Sequence, residues 1–212
     1  PNDVGYLQIT SFQDTTLQEV ENALVILTQS GMKGLILDLR GNPGGLIDVA
    51  IETTGKFLSS GVIATSLHED PKYKAQNFDS KFDKIYQARN PNALTIPMIV
   101  LVDGDTASAA EVMAGALKDN QRARLIGQNT FGKGCTQRVL KLPAVAGNVP
   151  TGGLRLTVER FFSPKGEPYS GRGVLPDRLI DRIMQGEMMM MVDRQMDAAV
   201  SDLEEMLKIA RN

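Results

Sequence analysis

Three short segments of this chain carry residue types that chemistry can use, and each follows an apolar run. The first is Arg40-Gly41-Asn42-Pro43-Gly44-Gly45, after Gly34-Leu35-Ile36-Leu37-Asp38-Leu39. Glycines leave backbone N–H groups unshielded and able to converge on an anion, as an oxyanion hole requires; a tight turn with no ligand has the same composition. The second is Val102-Asp103-Gly104-Asp105-Thr106-Ala107-Ser108-Ala109-Ala110-Glu111. A serine at a helix start is commonly an N-cap. It is also well placed as a nucleophile, because the positive end of a helix stabilises a developing anion. The third runs from Gly127 to Gln137 and sets Lys133 between Gly132 and Gly134. Such a lysine commonly faces solvent or binds phosphate, but the spacing is not that of a Walker A loop. It can act as a general base if burial lowers its pKa from about 10.4 towards neutrality. The flanking glycines would admit it to a crowded site, and Gln137 could hold its amine. Nucleophile, base and backbone donors at strand ends together suit acyl transfer.

The elements that must position these groups are written in the periodicity. Residues 5–10 alternate as a strand, and residues 16–30 repeat apolar positions at three and four, as a helix does, before Gly31. A buried strand at 34–39 and a helix over about 46–59 flank the glycine turn. Residues 68–96 are polar and aperiodic and read as an insertion or flap. A buried strand at 96–102 leads into a helix over 107–119, followed by strands near 124–127, 135–141 and 153–162. The last 25 residues, with Met188–Met191, Met196, Val200, Leu203 and Met206, read as an amphipathic helix packed on the core or on a partner chain. Strands alternating with helices give the α/β class. The domain reading is a core over residues 1–180 and a helical extension over 181–212.

Composition narrows the function. A net charge of −2 gives no electrostatic case for nucleic acid or anionic lipid, and the absence of Trp argues against base-stacking platforms. No window approaches 18 apolar residues. The start at Pro1-Asn2-Asp3 reads as a fragment from which targeting information has been cut away. The single cysteine, Cys135, excludes an intrachain disulfide and reads as a small buried filler. The single histidine, His68, sits in a polar stretch that reads as a surface loop, so a hydrolase here should work without histidine.

On these residues the chain resembles the carboxyl-terminal processing peptidases, or tail-specific proteases. The matching blocks are Gly34–Gly45, Asp105–Glu111, Thr130–Gln137, Phe162–Gly166 and Gly173–Asp177, in order, with 25 residues from Ser108 to Lys133 and four more to Gln137. The resemblance implies a crotonase-like core of stacked sheet and helices. It implies Ser108 as nucleophile, Lys133 as general base and Gln137 as the group that orients the lysine. The oxyanion hole it implies uses Gly44 or Gly45 together with Ala109, and Asp119 is expected to be structural. Neither metal nor cofactor is implied. The partner is a protein or peptide with an accessible C-terminus, and the compartment is periplasmic, extracellular or lumenal. Relatives usually carry an upstream PDZ domain, and nothing of that kind stands in this chain. A homo-oligomer, where formed, would use the C-terminal helix. The mechanism further requires that Lys133 be largely buried and without a carboxylate partner. Two other readings compete: a non-catalytic binding module on the same scaffold, and a crotonase-type acyl-CoA enzyme, for which no acidic catalytic pair is evident.

Overall fold

The computed structural model describes residues 3–68, 82–142, 152–181 and 193–209. In chain order its elements begin β1 (Val4–Gln8), α1 (Thr16–Gln29), β2 (Gly34–Asp38), α2 (Ile47–Thr54), β3 (Ser60–His68) and β4 (Lys84–Arg89). They continue β5 (Met98–Val102), α3 (Ala109–Asp119), β6 (Arg124–Gly127), β7 (Cys135–Lys141), β8 (Gly153–Phe162), β9 (Arg178–Leu179) and α4 (Arg194–Ile209).

Side-chain alternation along the buried strands builds the centre. β1, β2, β5, β6 and β9 form a parallel sheet in the order β1-β2-β5-β6-β9. On one face Leu35, Leu37, Met98, Val100 and Leu125 meet residues from α1, α2 and α3. On the other, Ile36, Ile99, Leu101 and Ile126 meet Ala198, Ala199 and Leu203 of α4. A strand buried on both faces reads as a continuous apolar run, which is why β2 and β5 were plain in the sequence. The amphipathic stripe of the last helix is thus consumed on the core, while Met188–Met191 lie outside the described residues.

β4, β3, β8 and β7 form a second, antiparallel sheet in that order. It covers the far side of α3, whose residues 109–117 are all buried. The layers therefore run α4, parallel sheet, helices, antiparallel sheet, which is the crotonase-like stacked α/β core. Of the span read as an insertion or flap, residues 69–81 lie outside the described residues, whereas Lys84–Arg89 is a ladder strand on β3. Its polar, half-exposed pattern follows from a sheet that covers the core with one face only. His68 likewise ends a strand rather than lying in a loop, and its Nε2 is 3.6 Å from Glu159 Oε1.

Candidate active site

Parallel strands offer ligands their carboxyl ends, where the chain leaves each strand for the next helix or loop. Here β2, β5 and β6 are neighbours in the sheet, so the turns that follow them emerge side by side. Those turns are the three segments singled out from the sequence: 39–46, 103–108 and 128–134. Adjacency in the sheet is what brings together residues far apart in the chain.

The first two turns are stitched to each other. Asp103 Oδ1 accepts from Gly41 N at 2.9 Å and from Thr106 N at 3.0 Å. Thr106 Oγ1 donates to the Leu39 carbonyl at 2.9 Å, and Ala107 N donates to the Asn42 carbonyl at the same distance. Gly44 lies so close to the Ser108 turn that a Cβ on it would stand 2.8 Å from Ser108 Cβ and 2.9 Å from Ala109 N. Only glycine permits that approach.

Ser108 is held at φ 58°, ψ −120°, in the half of the map that side chains other than glycine's rarely adopt. Such strain persists only where its surroundings over-determine it, and it clusters at functional sites. Ser108 N donates to Glu111 Oε2 at 2.8 Å, which is one half of a capping box. The Ser108 side chain faces Glu111 N as the other half of that box, while Glu111 N also donates to the Ser108 carbonyl at 2.9 Å.

Glu111 has a role that the sequence alone does not assign. It is fully buried, and its carboxylate accepts four hydrogen bonds. Oε1 takes Thr130 Oγ1 at 2.6 Å and Gly132 N at 2.7 Å; Oε2 takes Lys133 N at 2.7 Å as well as Ser108 N. One buried carboxylate thus holds the backbones of both the serine and the lysine. The signal was present as a Ser-x-x-Glu spacing at a helix start.

A cleft of about 470 Å³ is lined by Ser108, Ala109, Gly45, Lys133 and Gln137, with Leu46, Ile47, Val112, Val139 and Phe161 as apolar walls. Cys135 lines it too and is half-buried rather than buried. Of the two glycines offered for the oxyanion hole, Gly44 N is already engaged by Asn42 Oδ1 at 2.8 Å. Gly45 N and Ala109 N have no acceptor among the described residues. Asp119 stands outside the cleft and accepts from Ser163 Oγ at 2.6 Å, fixing the Ser163–Lys165 turn.

The expectation that Lys133 is largely buried is corrected: its side chain is exposed, as is that of Gln137. The backbone of Lys133 is fixed by Glu111, but the ammonium lies at the rim where β7, exposed over most of its length, leaves the core. Among the described residues that ammonium makes no ion pair. Behind the glycine turn, burial lowers the pKa of the Arg40 guanidinium, but the hydrogen bonds it donates to Asp38 and Asp193 more than offset this and the net shift is upward. No group of His, Cys, Asp and Glu among the described residues is arranged to hold a metal ion, and no helix among them is long and apolar enough to cross a membrane.

Residues 3–180 match peptidase family S41, and the chain belongs to that family. It is 35% identical over 184 residues to the carboxy-terminal-processing protease of Bartonella bacilliformis, covering 85% of this chain and 39% of that protein. It is 38% identical over 175 residues to the carboxy-terminal processing protease CtpA of Bacillus subtilis, covering 82% of this chain and 34% of that one. The solved photosystem II D1 C-terminal processing protease matches with a TM-score of 0.70 and 31% identity, over 84% of this chain and 42% of its own. The chain spans well under half the length of these relatives.

Proposed function

We propose that this chain is the catalytic core of a serine endopeptidase that cleaves towards the C-terminus of protein substrates, with Ser108 as nucleophile and Lys133 as base. The observation that carries the reading is the Glu111 carboxylate, which receives the backbone N–H of both Ser108 and Lys133 at the mouth of one cleft. Neutral Lys133 takes the Ser108 hydroxyl proton as Oγ attacks the scissile carbonyl carbon. The oxyanion is received by Gly45 N–H and Ala109 N–H. Collapse expels the amine product, which takes the proton back from Lys133, and leaves an acyl-enzyme. Water, deprotonated by Lys133, then attacks the acyl carbon; the bond to Ser108 Oγ breaks, Oγ takes the proton back from Lys133, and the second product leaves as Gln137 orients the amine throughout.

A lysine base must be neutral, and desolvation favours the neutral form. With Lys133 exposed before substrate arrives, the covering has to come from a substrate lying against the apolar walls Leu46, Val112, Val139 and Phe161. Periplasmic, extracellular or lumenal placement belongs to the same reading and is supported by the resemblance alone. So does the division into a core over 1–180 and an extension over 181–212.

The test is cleavage of an unfolded protein such as casein by the wild type, Ser108→Ala and Lys133→Ala, in this chain and in a longer protein that contains it. Cleavage by the wild type alone, with both variants folded, is the expected result. The exposure of Lys133 favours one second reading, a binding module without catalysis. Binding of the substrate by all three proteins, with cleavage by none even in the longer form, would establish that instead.

A further inference from the structure

Behind the glycine turn lies a buried charge cluster for which the proposed chemistry has no use. Arg40, 7% exposed, gives Nε and Nη2 to Asp38, at 2.9 Å to Oδ1 and 2.6 Å to Oδ2. That pair is already neutral. Nη1 turns the other way, donating to both carboxylate oxygens of Asp193 at 2.8 Å and to Gln195 Oε1 at 3.1 Å. Asp193 Oδ1 also accepts from Met196 N at 3.0 Å, as an N-cap of α4 does. Gln195, 1% exposed, passes its own amide to the Ile180 carbonyl at 2.8 Å. Asp193 and Gln195 both lie beyond residue 180, where the family match ends.

Arg40 opens the turn that carries Gly44 and Gly45, and Asn42 of that turn receives Ala107 N, one residue before Ser108. A planar guanidinium held by Asp38 on one edge alone can still swing; gripped on a second edge it fixes the backbone from which it grows. Fixing Arg40 from both sides therefore fixes where the turn meets the nucleophile.

We propose that Asp193 and Gln195 are positioning residues: the start of α4 clamps Arg40 and through it sets the Gly41–Gly45 turn against Ser108. The C-terminal helix is then a working part of the site as well as a cover for the sheet. The kinetic consequence rests on the peptidase reading; the structural consequence does not.

Asp193→Ser keeps an N-cap oxygen but cannot reach Arg40, and Gln195→Leu removes both bonds of Gln195. Neither touches Ala198, Ala199 or Leu203, which dock the helix. In each variant, amide hydrogen exchange at Asn42 and Leu46 should rise about tenfold or more, with Leu35–Leu37 and Ala199–Leu203 unchanged. With casein as substrate, kcat should fall about tenfold or more and KM stay within about twofold, because a misplaced turn loses transition-state contacts first. Asp193→Glu should restore both. Exchange unchanged at the turn, or raised equally along β2 and α4, would overturn the clamp, the latter showing a helix that has merely come loose. If wild type cuts casein while turn exchange does not respond, the clamp fails and the peptidase reading survives. If turn exchange responds but wild type never cuts, the clamp stands and the peptidase reading falls.

Discussion

The serine side of the cleft and the lysine side are held in different ways. Ser108 stands between β5, buried at every position, and α3, buried from its first residue through Leu117. Its turn is tied to the glycine turn through Asp103, Thr106 and Ala107. Lys133 stands where β7 leaves the core, and five of the seven β7 residues are exposed. Its main chain is held by Glu111 and its side chain is exposed. Ser108 and the amides beside it are therefore set by the same packing that folds the domain, whereas that packing leaves the Lys133 side chain exposed at the edge of the cleft. Glu111 is the joint between the two.

The largest effect on folding should come from breaking that joint. Glu111→Ala strands four donors, three of them backbone amides, in a fully buried position. Hydrogen bonds to a charged group contribute roughly 1.5–3 kcal/mol each and do not add, so a loss of about 4 kcal/mol is expected in urea unfolding. Cleavage should vanish with it. A loss under about 1 kcal/mol would mean that the two sides are tied by something else.

Gly134→Ala tests the lysine side alone. A Cβ there would stand 2.7 Å from both Ser170 N and Tyr169 Cβ, so the 130–134 loop must move off the 169–173 loop. A loss of about 1–3 kcal/mol is expected, typical of overpacking, with cleavage reduced because Lys133 shifts with its neighbour. Thermal unfolding beside a casein assay checks both. Unchanged activity at reduced stability would show that the lysine loop tolerates displacement and that its placement is looser than Glu111 implies.

The same contrast explains what was legible in the sequence. The parallel sheet could be read because strands such as Leu35–Leu37 and Ile99–Leu101 are apolar on both faces. The three site segments could be read because each ends such a strand. β3 and β4 could not, since they mix Thr, Ser, Lys and Gln among their apolar residues, some of them buried as Thr65 and Ser66 are. Glu111 was missed because a carboxylate three residues into a helix has an ordinary capping role, and only the fold brings Thr130, Gly132 and Lys133 to it. The exposure of Lys133 was misjudged because burial was inferred from what the chemistry needs. Nothing in Gly-Lys-Gly says what lies above it.

On the serine side a stabilising change is available. Glycine adopts φ 58°, ψ −120° without the penalty that a Cβ brings, so Ser108→Gly should gain about 1 kcal/mol relative to Ser108→Ala while both lose cleavage. Equal stability of the two variants in urea would mean that the turn stores no strain at Ser108.

The smallest effect on folding should belong to the proposed base. The Lys133 side chain is exposed and makes no ion pair among the described residues, so Lys133→Ala should change stability by no more than about 0.5 kcal/mol. Cleavage should nonetheless be abolished. Set beside Glu111→Ala, this separates a group that builds the site from one that acts in it. The measurement also reports on the cleft in solution. A loss above about 1 kcal/mol would mean that the lysine is packed before substrate arrives. The contrast between the two sides would then describe an open form that the free protein leaves. A change near zero, with catalysis gone, would place the covering of the amine at the moment of substrate binding.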